Sequence, residues 1–431
     1  MKKEFASLAM LLLGASQVSG QEWTFNDCLD YAREHNISLK QAVLNEQISA
    51  YSLEESKAEW QPSLDFSTTH GLTNTPWSDG KKNAYNSNYG LNAGWTVWNG
   101  GKRENNIRRA EIQSSIDALS TLDRFRNIET ELLSIYINIL YNKESISIYE
   151  EAVNLSKAQA DRARQLMEAG RLSKVNYAQL QSQYEQDRYN LVNAEGTYNT
   201  RRMELKRLLE LGIDTDIVLK EVEWTPEEVL AELPPLQQSY EMALATDAQL
   251  QASELQKKMA DIDIAIAKAG RYPTISLNAG VTTGYFSSGP DFETQMKQAF
   301  NENIGLSLSI PILDNKKTKT ATAKANVQRI NAALDEQSRQ NDIAQDVESW
   351  YIDLKASQAR YKAGIEKAAS ASLSNDLVNE QFNLGLVNTV ELMTAHNNLL
   401  EARHSLLQAK YMAMLGHKMI EYYRTANITM P

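Results

Sequence analysis

The chain repeats itself at an offset of 215 residues, the separation of Gly170 from Gly385, and the register holds through two long helical segments. A repeat of this length far exceeds a solenoid unit of roughly 20–50 residues, so it indicates a duplicated fold. Identities are sparse, and the other pairs that carry the register are Lys102 and Lys317, Ala110 and Ala325, Ile128 and Ile343, Tyr136 and Tyr351, Val175 and Val390, Arg188 and Arg403, and Leu191 and Leu406.

Four segments alternate between apolar and polar residues. In 85–97 the odd positions are mostly aromatic or aliphatic, and the even positions are Asn, Gly and Thr; similar alternation occurs at 64–69, 275–282 and 303–310. A side-chain period of two indicates strands, here forming two hairpins. A sandwich of four such strands would have open edges, whereas closure with strands of other subunits removes the edges, as a lipid environment requires.

A very long helix without proline follows each strand hairpin, ending near residues 168 and 383. Residues such as Ile128, Leu132 and Ile135 form narrow apolar stripes typical of coiled helices. Each helix is predicted to turn at its repeated glycine, because glycine readily adopts the left-handed conformation at a helix C-terminus.

These patterns predict a duplicated organisation with a short leader, in which Lys2 and Lys3 precede an apolar stretch as in a signal peptide. The predicted parts are a signal peptide at 1–20; a first repeat at 21–210, with N-terminal helices, a β-hairpin at 62–98 and a helical hairpin at 100–210; a linker at 211–236; a second repeat at 237–423, with a helix, a β-hairpin at 273–312 and a helical hairpin at 315–423; and a tail at 424–431.

Composition and motifs argue against several classes of function. The formal net charge of −11 disfavours a nucleic-acid partner, and the single cysteine, Cys28, has no partner for an internal disulfide. His396 and His404 could share one helix face, but no third ligand stands beside them. Since phosphate loops, HExxH motifs and paired cysteines are also missing from the sequence, we expect no metal site, no cofactor and no enzymatic activity.

The order of strand hairpin and helical hairpin, twice over, resembles the TolC-like outer-membrane efflux protein family, the outer-membrane factors. The resemblance covers essentially the whole chain after the leader. It is carried by the segment 23–29, the strand starts Gln61-Pro62-Ser63-Leu64 and Tyr272-Pro273-Thr274-Ile275, the joints 98–102 and 313–317, and the turns at Gly170 and Gly385.

The resemblance implies a mostly α fold with a small β part. Three chains, each giving four strands, would form a 12-stranded barrel in the outer membrane, continued through the periplasm by an α-helical barrel of coiled hairpins. The implied function is a passive channel-tunnel for substrates delivered by an inner-membrane transporter through a periplasmic adaptor, a membrane fusion protein.

The resemblance also implies two candidate sites. The family's periplasmic aperture has acidic residues at the positions of Glu391 and Thr394, of which only one is acidic here, and an Arg–Asp lock at the positions of Val387 and Asn176. The adaptor-docking tips correspond to Gly170, Arg171, Leu172, Ser173, Gly385, Leu386, Val387 and Asn388. Each candidate site also has a purely structural explanation. The tip turns could serve only to cap helices, and Glu391 could be an ordinary solvated residue on a helix face.

Two other functions fit parts of the pattern. An extended structural or adhesive coiled-coil protein anchored by its strands would share the periodicities, and pore conductance and trimer formation would distinguish it from a channel. A surface hydrolase is disfavoured, because no Ser-His-Asp, metal or paired-acid grouping stands at a sensible spacing.

Overall fold

The computed structural model describes residues 22–77 and 82–430, and the chain is mostly helical with a small β part. The predicted signal peptide lies outside the described residues. In chain order the elements are β1 (Glu22–Trp23), α1 (Phe25–His35), α2 (Ile37–Ala58), β2 (Ser63–Asn74), β3 (Asn83–Trp98), α3 (Lys102–Glu168), α4 (Lys174–Leu208), β4 (Val218–Leu219), α5 (Pro226–Val229), α6 (Leu236–Thr246), α7 (Ala248–Ala269), β5 (Thr274–Phe286), α8 (Phe292–Gln298), β6 (Asn301–Ser309), α9 (Lys317–Leu384) and α10 (Thr389–Thr425).

Contacts divide the chain into two compact units, each with segments from both repeats. The helical unit takes the described residues of 1–41, 122–247 and 340–431, and the sheet unit takes those of 42–121 and 248–339. Among the described residues, we find no helix that is both long and apolar enough to cross a membrane.

The sheet unit is built around one four-stranded antiparallel sheet in the order β2–β3–β5–β6. The hairpins β2–β3 and β5–β6 come from different repeats, and the pairing of β3 with β5 joins them. Within the described residues, β2 and β6 are therefore the open edges. The connection between β5 and β6 contains α8, whose Gln295 side chain bonds the backbone N–H of Phe286 at 2.8 Å and its carbonyl at 2.9 Å.

The two faces of the sheet differ in chemistry. One face carries aliphatic and aromatic side chains, and Leu64, Phe66 and Leu306 on it are 67%, 68% and 71% exposed. The other face carries mainly Asn, Ser, Thr and Gly, as the period of a strand requires when the sequence alternates. The described chain thus leaves a large apolar sheet face uncovered.

Asparagines on the polar face lie across glycines of the neighbouring strand. Gly280 of β5 pairs with Asn92 of β3 and with Asn303 of β6. A Cβ atom placed on Gly280 would lie 3.1 Å from Asn92 Oδ1 and 3.0 Å from Asn303 Oδ1. Both amides therefore rest close over the backbone of β5.

A buried arginine holds the joint between β3 and α3. Arg103 is 2% exposed, and its Nη1 donates to the carbonyls of Thr96, at 2.6 Å, and Glu59, at 3.2 Å. Its Nη2 donates to the carbonyl of Val97 at 3.3 Å, and its guanidinium stacks 3.6 Å from the ring centre of Trp60. One side chain thus fastens the end of α2, the end of β3 and the start of α3.

The helical unit has its largest core where α1 packs against α3, α4 and α10. Phe25 meets Tyr136 edge-on with ring centres 5.8 Å apart, and Leu132 and Leu205 are fully buried beside them. Cys28 also lies in this core. Burial raises the pKa of its thiol to about 12, so Cys28 is a packing residue that stays protonated at neutral pH.

The linker and the tail are more ordered than the sequence patterns indicate. The linker supplies β4, which pairs in parallel with β1, and a capped turn of helix at α5. The helix α10 continues to Thr425, and Ala426 then adopts a left-handed conformation. The short tail beyond it inserts Ile428, 2% exposed, into the largest core.

The tail is fixed to α3 by a buried carboxylate, for which we predict a specific pH dependence. Glu129 is 2% exposed and accepts the backbone N–H of Ile428 at 2.9 Å. Burial raises the pKa of Glu129 more than the Ile428 hydrogen bond and the charges of Arg126 and Arg33 lower it. Its ionisation therefore opposes folding. This cost is absent below the ordinary glutamate pKa, grows between that pKa and the raised pKa of the folded protein, and is constant above it.

Replacing Glu129 with glutamine retains an acceptor and removes the ionisation. We expect Glu129→Gln to unfold at a higher temperature than the wild type at pH 8 and at the same temperature near pH 4, measured by intrinsic fluorescence in detergent. The matched control is Glu131→Gln, an exposed carboxylate on the same helix. An equal gain in the control, or a gain that persists at pH 4, would contradict this role.

Candidate functional site

The first helical tip joins α3 to α4 through Gly170. The glycine has a φ of 72°, and the N–H groups of Gly170 and Arg171 bond the carbonyls of Met167, at 2.9 Å, and Leu166, at 2.8 Å. This pair of bonds satisfies the last carbonyls of α3 in a Schellman turn. The return helix starts with Ser173, whose Oγ accepts the N–H of Asn176 at 3.1 Å.

The second tip repeats this construction between α9 and α10. Gly385 has a φ of 77°, and the N–H groups of Gly385 and Leu386 bond the carbonyls of Phe382, at 3.0 Å, and Gln381, at 2.9 Å. Asn388 caps α10 by accepting two backbone N–H groups with its side chain. A Cβ atom on either tip glycine would meet nothing within 4 Å. Each glycine is therefore required by its backbone angle and not by crowding within the described chain.

An apolar cluster lies beneath the two tips. Its buried members are Ala163, Leu180, Phe382 and Leu392, which come from all four long helices. Leu172 and Val387, which each follow a tip glycine by two positions, pack against this cluster. The structure thus brings the two tips together through hydrophobic contacts.

The four candidate aperture residues have different surroundings. Glu391 is exposed in the first turn of α10, and its Oε1 accepts from Asn388 Nδ2 at 2.9 Å. Thr394 is also exposed, and its hydroxyl donates to the carbonyl of Val390 at 2.7 Å. Asn176 is half-buried on α4, and Val387 belongs with the apolar cluster. The two residues at the family's ion-pair positions are therefore an amide and a packed valine.

The Glu391 contact has a second consequence. A carboxylate in the first turn of a helix is stabilised by the helix dipole and by nearby N–H groups. Glu391 thus contributes to the capping of α10 and also carries an exposed charge. Its geometry fits both a solvated capping residue and a residue of the aperture.

His396 and His404, the two candidate metal ligands, have separate surroundings. His396 Nε2 lies 2.9 Å from Asp187 Oδ2, and both residues are buried. The His404 ring lies 4.3 Å from the Tyr149 ring, and burial lowers the pKa of His404. No group of three His, Cys, Asp or Glu residues suited to a metal ion occurs in the described ranges 22–77 and 82–430.

Two groups of interest were missed in the sequence, Arg103 at the strand–helix joint and the Asp187–His396 pair. The repeat pairs Arg103 with Thr318 and Asp187 with Ala402, so neither is marked by identity between the halves. Arg103 was signalled only by its place next to the Gly100-Gly101 joint, and the sequence suggested His396 only as a metal ligand.

Known proteins match this chain over about two thirds of its length or more. The family model for outer membrane efflux protein matches residues 28–210 and 239–414. Outer membrane efflux protein BepC of Brucella suis biovar 1 is 22% identical over 95% of this chain and 87% of the relative. Outer membrane protein TolC of Vibrio cholerae serotype O1 is 24% identical over 66% of this chain and 74% of the relative.

The fold also matches solved structures. A crystal structure of CusC, described in terms of folding and transmembrane channel formation, superposes with a TM-score of 0.81 at 16% identity, covering 94% of each chain. The outer membrane protein VceC from Vibrio cholerae superposes with a TM-score of 0.77 at 12% identity, over 93% of this chain and 95% of VceC.

Proposed function

Because the chain belongs to the outer membrane efflux protein family, we propose that it is the passive outer-membrane duct of a tripartite efflux or secretion system. The family is a non-enzymatic transport family, and it places the protein in the outer membrane with its helical part in the periplasm. The resemblance indicated by the sequence is thereby confirmed. Beyond family membership and location, we propose that the protein is a homotrimer, that its strands form a closed barrel, and that it works with an adaptor and an inner-membrane transporter.

The uncovered sheet face is the observation that carries the proposal. The sheet has one apolar face, one polar face and two open edges. In lipid, backbone groups at open edges have no water to bond, so the sheet must close. Pairing β2 of one copy with β6 of the next would give 12 strands from three copies. Closure in this way would place the apolar residues against lipid and the asparagines around the lumen.

Exposed apolar residues on the helices also support association of copies. Val327, Ile330 and Leu334 on α9 are each 57% exposed and follow the spacing of one helix face. Such a stripe favours packing against another helix, and a neighbouring copy of this chain is the partner that a trimer supplies.

We place the external partners at the tips. A periplasmic adaptor would dock on the two glycine turns and connect the duct to an inner-membrane transporter that supplies the energy. The turns expose the side chains of Arg171, Leu386 and Asn388. The space next to each tip glycine is empty in the described chain, so a partner has room to bind there. The apolar cluster beneath the turns, including Val387, would hold the tips in register while an adaptor binds.

The proposed function has a direct test in a planar lipid bilayer. Purified protein should be a trimer by light scattering in mild detergent and should give discrete conductance steps in the bilayer. A monomer would contradict the barrel. An assembled trimer without conductance would favour the alternative of a structural or adhesive coiled-coil protein anchored in the membrane.

We further propose that Glu391 forms an acidic ring at the periplasmic mouth. Three carboxylates converging on one axis attract cations, and Thr394 adds no second ring. Glu391→Gln should lower the cation preference, seen as a smaller reversal potential in a salt gradient, because glutamine retains the acceptor for Asn388 and removes the charge. Glu380→Gln, at an exposed carboxylate on α9, serves as the matched control. An unchanged reversal potential in Glu391→Gln would assign the residue to capping alone.

The docking tips have a separate test. Gly385→Val should reduce export in cells while the trimer still assembles, because a β-branched residue strains the left-handed turn and adds bulk at the docking surface. Asparagine tolerates this conformation, so Gly385→Asn adds bulk with little strain. Export measured for both variants separates the two effects, and full export in Gly385→Val would rule out the tip as a docking surface.

A further inference from the structure

Polar contacts cross between the first helical hairpin, α3 with α4, and the second, α9 with α10. Most of them have at least one partner that is exposed or half-buried. Among these contacts are Gln179 with Thr389 at 2.9 Å, Gln183 with Asn397 at 3.2 Å, Gln159 with Asn379 at 3.4 Å, Glu144 with Lys410 at 3.2 Å and with Tyr411 at 2.8 Å, Ser145 with His404 at 3.5 Å, Glu151 with Arg403, and Asp187 with His396 at 2.9 Å.

The Asp187–His396 contact differs from the others by its burial. Asp187 is 0% exposed and His396 is 2% exposed. The second carboxylate oxygen of Asp187 accepts from Gln183 Nε2 at 3.0 Å, and this amide also reaches Asn397 Oδ1. Asp187 is therefore held in place by its own helix while it faces the second hairpin.

The other imidazole nitrogen is buried, and His396 lies beside a cavity. His396 and Asn375 both line a cavity of about 210 Å³. His396 Nδ1 and Asn375 Oδ1 are buried atoms without a hydrogen-bond partner among the described residues. With the proton of a neutral imidazole on Nε2, towards Asp187, Nδ1 is an acceptor and so is Asn375 Oδ1. Protonation converts Nδ1 from an acceptor into a donor.

The charges around His396 come from all four helices of the two hairpins. Asp187 of α4 contacts the ring, while Glu151 of α3, Asp376 of α9 and Arg403 of α10 line the same cavity. Glu151 and Arg403 pair with each other, which leaves the two aspartates as the unbalanced charges.

We propose that Asp187 and His396 form a pH-sensitive link between the two hairpins, tighter when the imidazole is protonated and looser when it is neutral. A hydrogen bond between two charged partners is roughly twice as strong as one with a neutral partner, and histidine changes its charge between about pH 5 and 8. A separation of α4 from α10 at the level of this pair would break the buried contact. The existence of this link does not depend on the proposed function. A role of the link in controlling a channel does depend on it.

The experiment is hydrogen exchange by mass spectrometry on the full-length protein in detergent. Peptides from 180–190 and 392–400 are followed at pH 5.5 and 7.5, after correction for intrinsic exchange. We expect exchange about fivefold slower at pH 5.5, the factor given by an added stabilisation of about 1 kcal/mol. The difference should vanish in His396→Gln and in Asp187→Asn. The matched control is His404→Gln, because His404 is a half-buried histidine on the same helix, α10. This variant should retain the difference in exchange between the two pH values.

Two outcomes would overturn the link: equal corrected exchange at both pH values in the wild type, or a pH difference that survives in His396→Gln. The wild-type comparison decides the matter even if neither variant folds. Conductance recorded at the same two pH values keeps the two proposals apart. If no conductance is seen but the exchange difference persists, the proposed duct is refuted and the proposed link is not.

Discussion

Replacing Arg103 with methionine should destabilise the sheet unit by about 3–5 kcal/mol, since three carbonyls lose a buried, charged donor together. The carbonyls belong to Glu59, Thr96 and Val97. The stacking of the guanidinium on Trp60 is lost as well. We expect a much lower yield of folded protein and a lower urea midpoint for the molecules that do fold.

The size of this effect depends on geometry as well as charge. Arg103→Lys retains the charge but not the planar fork that reaches several carbonyls, so it should recover only part of the stability. Arg108→Met, at an exposed position of the same helix, is the matched control and should be near neutral. If Arg103→Met had the urea midpoint of Arg108→Met, the arginine would not be what fastens the joint.

The second large effect should come from an arginine on the apolar face of the sheet. Under the proposed barrel, Leu306 faces lipid near the middle of β6 and pairs with Leu277. Leu306→Arg should cost about 2–4 kcal/mol of barrel stability, because a charged side chain is poorly solvated within the bilayer. Refolding into lipid vesicles, followed by the shift of a heat-modifiable gel band, measures the loss.

The adjacent residue supplies the control for this prediction. Ser307 lies on the opposite face of the same strand, so Ser307→Arg should refold nearly as well as the wild type. Equal losses in the two variants would contradict the assignment of lipid and lumen faces. A larger loss in Ser307→Arg than in Leu306→Arg would mean that the lipid and lumen faces are the reverse of those proposed.

The sequence was most informative where the structure depends on local pattern. The alternation at 85–97 specifies a strand and its two faces, because side chains alternate along any extended chain. Gly170 and Gly385 marked the helix ends, since a left-handed turn has few alternatives to glycine. The repeat linked both features and led to the family.

What the sequence did not indicate depends on contacts between distant residues. Asp187 and His396 are separated by 209 positions, and no local pattern distinguishes a buried pair from two solvated residues. Ile428 looked like part of a tail, but Glu129 and the core of the helical unit hold it in place. The candidate aperture residue Val387 was visible only through the resemblance, and its apolar surroundings became apparent in the fold.

The arrangement of Asn92 and Asn303 over Gly280 has a consequence for how the protein can diversify. Enlarging Gly280 would displace two amides at once, because a Cβ atom there meets both. An exchange of either asparagine for another polar residue changes the surface chemistry and leaves the backbone spacing intact. Under the proposed barrel, substitutions at the two asparagines would change the polar groups that line the lumen, while the glycine between them lets those groups stay close to the backbone of β5.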